Sequence, residues 1–227
     1  MGLRFVECRS PNFDARGAAV DMLVLHYTGM RTAEEALARL CDPAAKVSAH
    51  YTIDRDGRVY RHVPEEMRAW HAGVSYWAGE TNVNARSIGI ELVNPGHEFG
   101  YVPFSEAQIA ALIDLAHGIR ERHDIPSARV IGHSDIAPAR KDDPGELFPW
   151  RELSEYGLGT WPNGKAAPLT EPFETALARF GYGVPPTVDV PLEKVITAFQ
   201  RHFRPSRVDG IADDECRSLV AGLPAAG

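Results

Sequence analysis

Met22-Leu23-Val24-Leu25-His26 is a short apolar run that closes on a histidine, which is the pattern of a strand buried on both faces of a sheet. Downstream, Ser87-Ile88-Gly89-Ile90-Glu91-Leu92-Val93 alternates, with Ile88, Ile90 and Leu92 on one face and Gly89, Glu91 and Val93 on the other. This places Glu91 opposite an isoleucine row. Between these runs, residues 49–53 and 58–63 flank Asp54-Arg55-Asp56-Gly57; the spacing predicts a hairpin whose glycine takes a positive φ. Ser105 and Gln108 form a capping box, and Ile109, Leu112, Ile113, Ala116 and Ile119 continue at helical spacing to about Arg122. Past Asp124-Ile125-Pro126, Arg129-Val130-Ile131-Gly132 reads as another short strand ending at His133. Strands alternating with helices, plus a hairpin, predict an α/β domain with a mixed central sheet flanked by helices.

A composition break follows. Gly157, Gly159, Pro162, Asn163, Gly164 and Pro168 crowd together without apolar periodicity, so a linker is expected over 161–171, separating a domain at 1–160 from a helical one at 172–227. In the latter, Phe173, Leu177 and Phe180 precede Gly181, and Leu192, Val195, Ile196, Phe199 and Phe203 follow a helical stripe. A third helix is expected from about Asp213, carrying Cys216, Leu219 and Val220. Together they predict a small three-helix bundle.

The 227 residues, 44% hydrophobic and 24% charged, suit a folded protein with a real core and exclude disorder or a collagen-like chain. With 24 Lys+Arg against 31 Asp+Glu, the net charge of -7 disfavours a nucleic-acid partner. From residue 164 onward, 7 basic side chains face 8 acidic ones, which argues against a helix-turn-helix reader. Cys8, Cys41 and Cys216 show no CxxC spacing, so they suggest neither a zinc cage nor a disulfide framework and are expected to be inert reduced thiols. No signal-peptide pattern and no membrane-spanning run is evident, so a cytoplasmic protein is expected, with the periplasm or cell wall as the alternative.

His26 and His133 each terminate an apolar strand, where open α/β sheets place their ligand sites. Taken singly, each also suits a hydrogen-bonded structural residue. The loop from Gly132 to Gly145 gathers His133, Asp135, Arg140, Lys141, Asp142 and Asp143 between prolines, which is either a stiff scaffold for catalytic groups or a solvated turn.

At these residues the chain resembles the zinc-dependent N-acetylmuramoyl-L-alanine amidases of the type-2 amidase family, relatives of peptidoglycan recognition proteins and of phage T7 lysozyme. The resemblance runs through Leu23 to Thr28, Val47 to Tyr51 with Arg55-Asp56-Gly57, Arg68 to Gly73, and Ser87 to Glu91 together with Gly132 to Gly145. It implies that His26, His133 and Asp143 hold Zn2+, with Asp135 and Asp142 as nearby alternatives to Asp143. Two imidazoles and a carboxylate leave a fourth tetrahedral position open, as catalytic zinc requires. The resemblance further implies that Glu91 carries the proton and that Lys141 steadies the oxyanion. Phage-type members place a tyrosine where this chain has Ala49, which puts more weight on Glu91. Trp70 and His71 resemble residues of the substrate groove, Asn94 is a further candidate for the peptide stem, and His50 is expected either to support the site residues or to be structural.

The implied reaction is hydrolysis of the amide between the lactyl group of N-acetylmuramic acid, or its anhydro form, and L-alanine, in muropeptides or peptidoglycan. A non-catalytic peptidoglycan-binding module is the rival, and the presence of all three candidate ligands argues against it. The C-terminal segment resembles three-helix peptidoglycan-binding domains, with a helical extension covering the first domain as the alternative reading. Oligomeric state is not legible.

Overall fold

A computed structural model describes residues 3–162 and 168–225, so the expected linker at 161–171 lies partly outside the described residues. Two compact units emerge, one of residues 1–73 and 83–126, the other of residues 74–82 and 127–227.

In the first unit the elements are β1 (Phe5–Glu7), β2 (Phe13–Ala15), β3 (Met22–Tyr27), α1 (Ala33–Cys41), β4 (Tyr51–Ile53), β5 (Val59–Arg61), β6 (Met67–Ala69), α2 (Val83–Arg86), β7 (Ser87–Leu92), α3 (Gly96–Phe99) and α4 (Glu106–Arg122). Its main strands run in the order β1-β5-β4-β7-β3. β3, β7 and β4 are mutually parallel neighbours, and only the β4–β5 hairpin is antiparallel, so the sheet is mixed as expected. β2 and β6 form a separate antiparallel pair.

Leu23, Leu25, Ile53, Ile88, Ile90 and Leu92 are buried in β3, β4 and β7; at about 1.5–3 kcal/mol for each fully buried aliphatic side chain, this is the main stabilisation of the sheet. α4 adds Ile109, Leu112, Leu115, Ala116 and Ile119. Its capping box is present, and the buried Gln108 amide also donates to the carbonyls of Ile53 and Val93, tying the helix start to the ends of β4 and β7. Gly57 has φ +80° in the hairpin turn, and a Cβ there would lie 2.8 Å from the Ala107 carbonyl oxygen. The turn therefore packs directly against the start of α4.

The second unit contains β8 (Val130–Gly132), α5 (His133–Ile136), α6 (Trp150–Glu155), α7 (Phe173–Phe180), α8 (Leu192–Phe203) and α9 (Asp214–Ala221). The three C-terminal helices occur where the apolar spacing predicts them, and Gly181 ends α7 at φ +133°. Their core is aromatic: Phe180, Tyr182, Phe199 and Phe203 are buried together. Trp77 packs edge-on to Phe180 and Tyr182 at centroid distances of 5.5 and 5.1 Å, and Ala78 N–H donates to the Gly181 carbonyl, which binds residues 74–82 into this unit. Among the described residues no helix is long and apolar enough to cross a membrane.

Candidate active site

The parallel register of β3 and β7 pairs Val24 with Gly89 and His26 with Glu91. His26 and Glu91 thus project from neighbouring strands on one face of the sheet, His26 buried and Glu91 half-buried. Gly89 lies on that face too, and the His71 ring occupies the space its missing side chain leaves: a Cβ at Gly89 would lie 2.6 Å from His71 Cδ2 and 2.7 Å from its Nδ1.

His71 in turn orients His26. Ser87 Oγ donates to the Val83 carbonyl at 2.7 Å, so at 3.1 Å it accepts from His71 Nε2–H. In a neutral His71 ring the lone pair would lie on Nδ1, 3.0 Å from His26 Nε2, where it would accept the His26 proton. That tautomer would leave Nδ1 as the basic nitrogen of His26. His50 supports the arrangement from below. Its Nδ1 accepts from Gly89 N–H at 2.9 Å, and its ring meets His71 edge-on at 5.7 Å. Burial, reinforced by the Arg16 charge, pushes His50 down to about 3, so it stays neutral.

Asn84 Oδ1 fixes the chain at His71 by accepting from the His71 and Ala72 amides. Trp70 is half-buried, its backbone bonded to Ser48 in both directions, and its Nε1 is buried without a hydrogen-bond partner. Asn94 is fully buried: its Nδ2 donates to the Val102 carbonyl, and its Oδ1 accepts from Gly96 N–H. Both ends of that amide thus build the turn after β7.

In the second unit, β8 delivers the chain to α5, of which His133 is the first residue. His133 Nδ1 lies 3.0 Å from Asp143 Oδ2, with both side chains buried. The neighbouring carboxylates are engaged elsewhere. Asp135 accepts from Gly132 N–H at 2.8 Å and Tyr182 O–H at 2.6 Å, and its Oδ2 lies 2.8 Å from His202 Nδ1. Burial and that carboxylate hold the Tyr182 phenol well above its usual range, so it remains a donor. Asp142 is exposed and pairs with Arg201 at 2.8 Å. Of the three aspartates this leaves Asp143 beside His133. Lys141 is half-buried in the same loop, its amide bonded to the Ala137 carbonyl.

His26 in the first unit, and His133 with Asp143 in the second, are buried side chains that each offer one ligand atom. Two imidazoles and one carboxylate match the donor chemistry of an open zinc site. One feature escaped the sequence: Tyr27, His97 and Tyr101 cluster just past His26, with Tyr27 Oη 2.9 Å from His97 Nδ1 and the His97 and Tyr101 rings 4.5 Å apart. Its only sequence signal is an aromatic residue directly after the strand-end histidine.

Comparison with known proteins identifies the family. The N-acetylmuramoyl-L-alanine amidase family (Amidase_2) matches residues 16–146. N-acetylmuramoyl-L-alanine amidase AmiD of Escherichia coli is 42% identical over 90% of this chain and 82% of its own length. 1,6-Anhydro-N-acetylmuramyl-L-alanine amidase AmpD of Haemophilus influenzae is 35% identical over 63% of this chain and 89% of its own. The structure of E. coli AmiD in complex with anhydro-N-acetylmuramic acid-L-Ala-D-gamma-Glu-L-Lys superposes with a TM-score of 0.81 at 40% identity, covering 92% of this chain and 91% of that one. Pseudomonas aeruginosa AmpDh3, in complex with an anhydromuramic pentapeptide, gives 0.81 at 36% identity, covering 94% and 93%. The chain belongs to the type-2 N-acetylmuramoyl-L-alanine amidase family.

Proposed function

We propose that this chain hydrolyses the amide joining the lactyl group of N-acetylmuramic acid, or of its anhydro form, to L-alanine, with zinc held by His26, His133 and Asp143. The observation that carries the reading is the β3–β7 register, which sets the candidate ligand His26 directly beside the candidate proton carrier Glu91. When bound, zinc supplies Lewis acidity and brings the pKa of water toward neutrality.

The remaining work falls to the chain. The Glu91 carboxylate takes the proton of the attacking water and returns it to the departing L-alanine nitrogen, so that the amine leaves neutral. The Lys141 ammonium stabilises the negative charge that grows on the lactyl carbonyl oxygen. His71 acts through His26, fixing its ring and its basic nitrogen by the 3.0 Å hydrogen bond. Trp70 offers an indole face to the sugar or lactyl group. The anhydro-sugar ligands of the AmiD and AmpDh3 complexes support a muropeptide as the substrate.

Glu91→Ala tests the proton step. Turnover of an anhydro-muropeptide should be lost while zinc stays bound, measured by product mass spectrometry and metal analysis on one sample. Full activity in that variant would remove Glu91 from the reaction.

A further inference from the structure

Cys8, Cys41 and His62, distant in sequence, come together within the first unit. Cys8 directly follows β1, Cys41 ends α1, and His62 directly follows β5. The two Sγ atoms are 3.2 Å apart, and Cys41 Sγ is 3.9 Å from His62 Nδ1. All three ligand atoms lie within 4.8 Å of one another. His62 is fully buried, whereas both cysteines are partly exposed, so the cluster has an inner imidazole and an outer pair of thiols. The backbone holds the strands at this point: Cys8 N–H donates to the Arg61 carbonyl and His62 N–H to the His50 carbonyl.

We infer that Cys8, Cys41 and His62 form a second metal site, separate from the amidase residues, that takes a thiolate-seeking d10 cation of the Zn2+ class. Two sulfurs and an imidazole nitrogen are a three-ligand zinc donor set that leaves a fourth tetrahedral position open. On a tetrahedral ion with Zn–S of about 2.3 Å, the sulfurs would sit about 3.8 Å apart, so the pair opens by roughly half an ångström. A disulfide of about 2.05 Å would instead require closure by more than about 1 Å, and it would leave His62 without a part.

The imidazole is prepared for the exchange. His62 Nδ1–H donates to the Cys8 carbonyl at 2.7 Å, and Nε2 lies 2.8 Å from Thr52 Oγ1. A metal taking Nδ1 moves that proton to Nε2, where the Thr52 hydroxyl accepts it, the outer hydrogen bond that metal-bound histidines usually make. The two thiols release two protons to solvent, so M2+ plus two thiolates leaves the site neutral. The Cys8 carbonyl oxygen, 3.4 Å from Cys41 Sγ, is the adjacent oxygen donor.

The test is a Co2+ titration of the metal-free 227-residue chain, with thiols kept reduced by a phosphine. Thiolate-to-cobalt charge-transfer absorption is expected, and the His-His-Asp group cannot give it, so the result does not depend on the amidase reading. Cys8→Ser and Cys41→Ser should each abolish the band while retaining muropeptide hydrolysis, and Cys216→Ser should retain the band. Absence of the band in a wild-type sample whose thiols titrate as reduced would overturn the proposal, as would its survival in both serine variants. Should those variants fold poorly, the wild type decides: saturating Zn2+ should slow alkylation of Cys8 and Cys41, mapped by peptide mass spectrometry, and equal alkylation with and without Zn2+ would overturn the site.

Discussion

Asp135 Oδ2 lies 2.8 Å from His202 Nδ1 with both side chains buried, joining the segment that carries His133 to helix α8. The His202 ring is stacked between Trp150 and Phe203, each at 3.9 Å between centroids, so it cannot turn to find another acceptor. Asp135 also accepts from Tyr182 O–H and Gly132 N–H, so removing the carboxylate strands three buried donors at once.

Asp135→Ala should therefore cost more than the about 1–3 kcal/mol of one stranded buried donor, since it strands three. Tyr182→Phe, which deletes one donor of the three, should cost only about 1 kcal/mol. Urea unfolding measures both. Equal effects would mean that the carboxylate is not the hub of this contact.

Gly89→Ala should do more harm than one methyl group suggests. The added Cβ would sit 2.6 Å from His71 Cδ2, and the ring is pinned by His26 and Ser87. Overpacking of this kind costs about 1–3 kcal/mol. Releasing the partner that orients a metal-binding histidine lowers metal affinity by about 10- to 100-fold. Thermal unfolding and a zinc competition titration read the two effects, and a variant unchanged in both would show that His71 moves aside freely.

Acid should weaken the first unit through Glu65. Burial pushes its carboxyl up, but hydrogen bonds from Arg122, Tyr51 and His123 outweigh that and bring it down to about 2. Its folded pKa lies below the unfolded value of 4.5, so the contribution is complete above about pH 4.5 and is lost as pH falls toward 2. For this half-buried carboxylate, screened by solvent, its size is about 1–2 kcal/mol. Glu65→Gln should be less stable than the parent at about pH 6 and should lose less on moving to about pH 3. Parallel pH profiles of the two proteins would contradict the assignment.

The elements with strong periodicity were legible in the sequence. β3, β7, the β4–β5 hairpin, α4 and the C-terminal helices all follow from apolar spacing and caps, because those signals are local. His26 and Glu91 were legible as strand residues, and their pairing in register follows once β3 and β7 are neighbours. What was not legible depends on contacts between segments far apart in the chain. Asp135 looks like a possible ligand two residues after His133, and only Tyr182 and His202 reveal that its oxygens are committed elsewhere. Asn94, expected at the peptide stem, has its amide occupied by Val102 and Gly96. Cys8 and Cys41 lack any metal-binding spacing, yet the parallel β1–β5 pairing and the end of α1 bring their sulfurs within 3.2 Å.

The most direct test of the central claim is mass spectrometry of an anhydro-N-acetylmuramyl-L-alanyl peptide after incubation with zinc-loaded, metal-stripped and zinc-restored protein. The account predicts cleavage between the lactyl carbonyl and L-alanine, with uptake of one water, in the loaded and restored samples, and intact substrate in the stripped one. An intact substrate in the folded zinc-loaded sample would contradict it, as would cleavage that survives complete removal of the metal.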